Sequence, residues 1–197
     1  MLHIVIENAI ANFEDVKSEI INGVKDTYRA ERGGANGHSV NWFAEGDIPL
    51  TSSAIKNIAW QHVNKYSKGI EVDFSAISFE YQFIEYNKPN DQYNWHIDGV
   101  ASNNGSKSRR MTIALNLTSK NDDFIGEGFQ LSTVKGLMDN ENLARVHASN
   151  YSPALTPHEL DILSNKNSVV IFNPDTIHRG SPISSGKRQL LTVWVNW

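Results

Sequence analysis

The chain has 197 residues, 40% hydrophobic and 20% charged, with 18 Lys+Arg against 22 Asp+Glu and no Cys. That length and apolar content suit one domain with a sizeable core, and a mixed formal charge of −4 gives neither a nucleic-acid footprint nor a polybasic membrane surface. Without cysteine, disulfides, iron–sulfur clusters and thiolate zinc sites are excluded, so any metal must sit on His, Asp, Glu or backbone oxygen.

Residues 2–6 read as a short strand, and the segment Met1 to Glu7 lacks the basic start of a signal peptide. From Asn12 to about Tyr28, Phe13, Val16, Ile20, Ile21 and Val24 recur with helical spacing, until the polar, glycine-rich stretch Arg32 to Ser39 breaks the pattern. A second helix is expected from Ser52 or Ser53 to Tyr66, with Ile55, Ile58, Ala59 and Val63 turned inward. No run reaches the roughly 18 apolar residues of a membrane span, so a soluble cytoplasmic protein is expected.

After Val72 the period changes to two. Ile77, Phe79, Tyr81 and Phe83 share one face of a strand, and Ser78, Glu80, Gln82, Ile84 and Tyr86 the other. Met111, Ile113, Leu115 and Leu117 alternate with Thr112, Ala114 and Asn116, and further strands are expected at Phe129–Val134, Ser168–Phe172 and Arg188–Trp197. Thr156-Pro157-His158-Glu159 has the form of a capping box before a short helix. Two helices followed by many spaced strands imply an α+β chain whose body is a β-sandwich or barrel. Residues 1–72 are expected to support a core formed by residues 73–197, all in a single domain. The loops Gly99–Ser108 and Lys135–Pro153 are long and polar enough to be lids carrying substrate contacts such as Arg145, His147 and Tyr151.

The chemistry concentrates in two segments. In Trp95-His96-Ile97-Asp98 the two polar residues stand two apart, so on a strand both point to the same side and can meet one ion. Far along the chain an apolar strand ends in a turn, His178 stands just beyond it, and Arg188 opens the last strand ten positions later. Two His and one carboxylate form the facial triad of non-haem Fe(II) oxygenases, which leaves positions open for a cosubstrate and O2. A guanidinium such as that of Arg188 can bind the distal carboxylate of a 2-oxo diacid through two parallel hydrogen bonds. Arg188, Leu190, Thr192, Trp194 and Asn196 share one face of the last strand, so Thr192 could add a hydroxyl and Trp194 wall the pocket. His3, His38, His62, His147 and His158 lack such spacing and are expected at the surface or at helix caps. Asp175 is a candidate to orient His178, against the commoner reading of a solvated turn residue. Arg179 and Lys187 flank the site and are candidates to meet an anionic substrate.

With these residues the chain resembles the 2-oxoglutarate- and Fe(II)-dependent dioxygenase superfamily, specifically its prolyl 4-hydroxylase-like branch with the bacterial PKHD-type hydroxylases. The likeness spans roughly Phe79 to Trp197. It rests on Tyr86 with Trp95-His96-Ile97-Asp98, on Arg109 to Thr118, on Phe124 to Phe129, and on Val169 to Trp194. The resemblance implies a double-stranded β-helix (jelly roll) with the N-terminal helices on one sheet. It further implies His96, Asp98 and His178 as iron ligands, Arg188 at the distal carboxylate of 2-oxoglutarate, and Tyr86 lining the cosubstrate pocket. Where relatives often carry a small hydroxyl two residues after the arginine this chain has Leu190, so Thr192, Thr112 or Asn116 is expected to supply any extra polar contact. Gly126-Glu127-Gly128-Phe129 replaces the family's Gly-Gly-Glu-Leu.

The implied reaction hydroxylates a C–H bond with Fe(II), 2-oxoglutarate and O2, releasing succinate and CO2, with ascorbate a candidate reductant. The substrate class stays open between a prolyl or other amino-acid residue of a protein and a small molecule; no nucleic acid or membrane partner is expected. Two other classes fit the same residues: a cupin-like metalloprotein without oxygenase chemistry, and a non-catalytic 2-oxoglutarate sensor or sugar-binding β-sandwich.

Overall fold

A computed structural model describes residues 3–25, 27–30, 38–67, 69–98, 108–131 and 160–197. In chain order the elements are β1 (His3–Ile6), α1 (Phe13–Gly23), β2 (Tyr28–Ala30), β3 (His38–Phe43), α2 (Pro49–Tyr66), β4 (Ser78–Tyr86) and β5 (Tyr93–His96). They continue with β6 (Arg109–Asn116), β7 (Phe124–Gly126), β8 (Phe129–Leu131), β9 (Leu160–Asp161), β10 (Val169–Phe172), β11 (His178–Gly180), β12 (Ile183–Gly186) and β13 (Arg188–Asn196).

Seven strands form one antiparallel sheet in the order β1-β10-β6-β13-β4-β3-β2, and four form a second, β5-β11-β8-β9. A hairpin of β12 and β7 stands beside them. The large sheet ends at β1 and β2 and does not close on itself. Its length comes from the central pair: β13 matches β4 residue for residue from Arg188↔Tyr86 to Asn196↔Ser78. The period-two pattern then sorts every side chain. Tyr81, Phe83, Met111, Ile113, Leu115, Leu191, Val193 and Val195 face the helices, packing with Val16, Ile20, Ile55, Ala59 and Val63. Each such side chain fully withdrawn from water contributes about 1.5–3 kcal/mol.

The two helices are joined at their ends as well as along their flanks. Glu19 of α1 accepts hydrogen bonds from the Leu50 and Thr51 amides at 2.9 and 2.7 Å and from the Thr51 hydroxyl at 2.6 Å. Those amides begin α2, where intrahelical acceptors are lacking and negative charge is favoured. Pro49 at the first helical position starts α2 before the expected Ser52. Among the described residues no helix is long and apolar enough to cross a membrane.

The opposite face of the large sheet meets the smaller one. Ala114, Val170 and Phe172 pack against Phe129, Leu131 and Leu163. This is the sandwich that the alternating pattern implied, with the N-terminal helices on one sheet as the family resemblance implied.

Several local expectations are corrected. α1 stops at Gly23, with Val24 extended, instead of running to Tyr28. Tyr28 to Ala30 pair with His38 to Val40 as β2 and β3, so a hairpin replaces the helix end and the end of the glycine-rich stretch. Glycine is a poor helix residue, and pairing with the sheet outweighs the remaining helical pattern there. β1, β2 and β3 therefore join the same sheet as the core strands, although they lie within residues 1–72. β5 ends at His96, so Asp98 lies beyond the strand. The two lid candidates apart from Ser108, the 156–159 capping box, His147 and His158 lie outside the described residues, as do residues 132–134 of the expected Phe129–Val134 strand.

Candidate metal centre

The pairing of β5 with β11 sets His96 directly opposite His178. Past the end of β5, the Asp98 amide donates to the Pro174 carbonyl at 2.9 Å, which turns the aspartate back toward the two imidazoles. One ligand atom from each of His96, Asp98 and His178 falls within 4.8 Å of the others. Asp98 Oδ1 lies 3.5 Å from His178 Nε2 and 3.9 Å from His96 Nε2. Two imidazole nitrogens and one carboxylate oxygen are the donor set suited to non-haem Fe(II), so the residues present fit that ion.

Both rings are aimed by the same device. His96 Nδ1 donates to the Asn94 carbonyl at 2.7 Å and His178 Nδ1 to the Thr176 carbonyl at 2.9 Å. In each case the acceptor is two residues upstream, which fixes the tautomer and leaves the Nε2 lone pair directed at the common point. Burial, and then the neighbouring His178, push the His96 pKa down to about 3, so the ring is a neutral ligand at ordinary pH. For Asp98 burial acts in the opposite sense, but the two imidazoles and the Thr112 hydroxyl outweigh it and hold the carboxyl well below the usual range. Asp175 is exposed, so the carbonyl of Thr176 takes the orienting role considered for it.

Two residues of β6 hold the aspartate from behind. Thr112 donates its hydroxyl to Asp98 Oδ2 at 2.7 Å, and Arg109 donates to the Asp98 carbonyl at 2.7 Å. Arg109 also grips Glu80 through two hydrogen bonds, 2.8 and 3.3 Å, and lies 4.1 Å over the Trp194 ring. Trp194 in turn stacks on Trp42, 5.4 Å between ring centroids, and Trp42 is 41% exposed.

The three ligand residues line a cavity whose walls include Gln82, Tyr86, Tyr93, Phe129, Thr192 and Trp194. Leu190, Thr192 and Trp194 of β13 face it, and Arg188 continues that alternating row beyond Leu190. Its guanidinium is buried, donates to the Ser181 carbonyl at 3.4 Å, and sits 5.1 Å from the centre of the Tyr86 ring. Burial raises the Tyr86 pKa to about 12, with the Arg188 charge working against it. Gly180 makes room for this phenol: a Cβ there would lie 2.2 Å from Tyr86 Oη.

Of the nine residues expected from the sequence to hold the metal or line the cosubstrate pocket, the structure brings His96, Asp98, His178, Tyr86, Thr192 and Trp194 to one cavity, with Arg188 beside Tyr86. Thr112 touches the aspartate ligand instead of extending toward the arginine. Asn116 donates to the Leu163 and Asn165 carbonyls at 3.2 and 3.1 Å, a tie between loops and strand. His38, expected at the surface, is buried with its ring centroid 5.5 Å from that of Tyr86 and 4.8 Å from that of Tyr93, because β3 lies inside the sheet. Arg179 is engaged with Gln130 and Glu127, and Lys187 with Glu85. Sequence reasoning missed Arg109, and it missed Tyr93, which stacks on His96 at 3.7 Å. Gln82 carried a usable signal, since it shares the alternating face of Tyr86.

A family model described as the 2OG-Fe(II) oxygenase superfamily matches residues 81–196. A prolyl-4-hydroxylase from Pseudomonas putida has a similar fold, with a TM-score of 0.66 at 15% identity over 98% of this chain and 91% of that one. The viral collagen prolyl hydroxylase of Paramecium Bursaria Chlorella virus-1, solved as a 2OG complex, gives 0.61 at 18% identity over 100% and 96%. A Trichoplax adhaerens prolyl hydroxylase, in complex with a hypoxia inducible factor peptide fragment, gives 0.65 at 16% identity over 98% and 82%. No curated protein matches the sequence.

Proposed function

We propose, from the premise that the chain belongs to the 2OG-Fe(II) oxygenase superfamily, that His96, Asp98 and His178 hold Fe(II) and that Arg188 receives the distal carboxylate of 2-oxoglutarate in a C–H hydroxylation. The observation that carries this reading is the convergence of three ligand atoms within 4.8 Å, drawn from strands and a turn far apart in sequence. When bound, Fe(II) with 2-oxoglutarate and O2 supplies the oxidation, yielding succinate, CO2 and a hydroxylated substrate.

The chain's own residues prepare the site. His96, Asp98 and His178, with both rings locked through Nδ1, present a preformed set of ligand atoms that needs no reorganisation. Arg188, fixed at the start of β13, offers a planar pair of donors that a carboxylate can accept in parallel. Phe129, Leu190 and Ile84 line the cavity with apolar surface, which limits water around the reacting centre. Gln82 and Trp194 line the cavity, and Trp42, stacked on Trp194 and partly exposed, extends that surface outward as the wall that a substrate would meet. The solved prolyl hydroxylases that share the fold, one of them holding a peptide, support an amino-acid residue of a protein or peptide as substrate.

The test is anaerobic binding of Fe(II) and then 2-oxoglutarate, followed by admission of O2 and assay for succinate. His96→Ala should lose more iron affinity than the roughly 10–100-fold typical of an outer partner. Arg188→Ala should keep iron and lose about 2–5 kcal/mol of cosubstrate binding, the usual cost of truncating one member of a buried charge pair. Variants that bind metal and cosubstrate as the wild type does would refute these roles, and wild-type binding without succinate would refute the oxygenase.

A further inference from the structure

We infer that Thr112 makes Asp98 a one-oxygen metal ligand and thereby keeps three coordination positions free for cosubstrate and O2; this rests on the reading that the triad holds Fe(II). Among the described residues the polar atoms of Asp98 have separate partners. Its amide donates to Pro174 at 2.9 Å, its carbonyl accepts from Arg109 at 2.7 Å, and its Oδ2 accepts from Thr112 at 2.7 Å. Only Oδ1 faces both imidazoles.

Thr112 cannot easily release its hold. It is fully buried, its χ1 is restricted by β-branching, and β6 is fixed in register between Phe172 of β10 and Trp194 of β13. A hydroxyl bonded to a carboxylate oxygen at this distance is a strong, charge-assisted partner that competes with a metal for that oxygen. The consequence lies in the coordination count. Three protein atoms leave about three positions of an octahedral set, whereas a carboxylate binding through both oxygens would leave about two. A 2-oxo acid chelate fills two, so only the first arrangement has a place left for O2. Arg109 assists by holding the main chain of Asp98, but it does not touch the carboxylate.

Two measurements test this. The Mn(II)-loaded protein reports metal-bound water through water-proton relaxation. Thr112→Val should lower the inner-sphere contribution by about one third, from three waters to two, while Thr112→Ser keeps the wild-type value. Difference infrared spectra of the wild type with 13C-labelled aspartate, with and without metal, should show the wide separation of carboxylate stretches that one-oxygen binding gives, and this needs no variant. A wild-type relaxation in Thr112→Val, a lowered one in Thr112→Ser, or a narrow separation in the wild type would each overturn the inference. Failure of the wild type to bind Mn(II), or undiminished binding by His96→Ala, would instead remove the metal site, and the role of Thr112 with it.

Discussion

The two faces of the seven-stranded sheet are built from the same strands, yet they obey different rules. Leu191, Val193 and Val195 of β13 enter the helix-covered cluster, while Leu190, Thr192 and Trp194 line the metal cavity. On β6, Met111, Ile113 and Leu115 go to the helices, and Thr112 goes to the aspartate ligand. Even the polar groups differ. On the helix side Tyr66 donates to the Ile171 carbonyl and Tyr81 to Ser52, so each buried phenol has its acceptor. On the cavity side Trp194 Nε1 and Asn196 Oδ1 are buried without a hydrogen-bond partner among the described residues, a condition that costs about 1–3 kcal/mol each. One face supplies stability through non-directional packing, and the other sets stability aside to hold directed groups.

That contrast can be broken most forcefully on adjacent residues. Leu191→Ala removes fully buried methyl groups from the helix side and should cost about 2–5 kcal/mol of unfolding free energy. Its folded fraction should bind metal as the wild type does. Thr192→Val, one position along on the cavity side, trades a hydroxyl for a methyl and should change stability by about 0.5–1.5 kcal/mol at most, the net scale of one hydrogen bond. Chemical denaturation and metal titration of both variants decide the matter: if Leu191→Ala weakens metal binding in the folded protein, the faces are not independent.

A smaller effect on stability, but a larger one on the site, is expected from Gly180→Ala. The added methyl meets Tyr86 Oη and Cζ at 2.2 and 2.9 Å, so the ring must move from its place beside Arg188. Overpacking of this kind costs about 1–3 kcal/mol, and cosubstrate affinity should fall while metal affinity holds. Calorimetric titration with 2-oxoglutarate would show this. Unchanged affinity would mean that the Tyr86 ring position does not matter to the cosubstrate.

How much of this could be read in advance follows the same division. The period-two pattern of β4, β6 and β13 named both faces correctly, because alternation is a backbone property that tertiary structure preserves. The stripe Ile55, Ile58, Ala59, Val63 was equally legible as helix. β2 and β3 were not, since three- and six-residue strands beside a glycine-rich stretch depend on pairing with β4 for their existence. For the same reason His38 was misplaced. The triad could be named from His-x-Asp and a distant His, with the family likeness linking them. The grip of Thr112 and Arg109 on Asp98 leaves no pattern in the sequence, because it arises only when the turn after β5 folds back on β6.

The finest test uses one phenol from each face. Tyr81 and Tyr86 are both pushed up to about 12, chiefly by burial, but the causes that follow differ. Near Tyr81 the Ser52 hydroxyl favours the phenolate and Glu45 opposes it. Near Tyr86 the Arg188 guanidinium favours the phenolate and Asp91 opposes it. A tyrosine whose folded pKa is raised binds more protons in the native than in the unfolded state between the two values. The contribution of these two phenols to stability is therefore constant below about pH 10 and falls as pH rises from there toward about 12. Arg188→Met removes the cation that favours ionised Tyr86 and leaves Tyr81 untouched. In a spectrophotometric titration one late phenol should move still higher while the other stays in place. If both move, Arg188 acts on the whole sandwich and the two faces are coupled; if neither moves, its charge is not felt at Tyr86, and the cavity end lacks the field that would draw in a carboxylate.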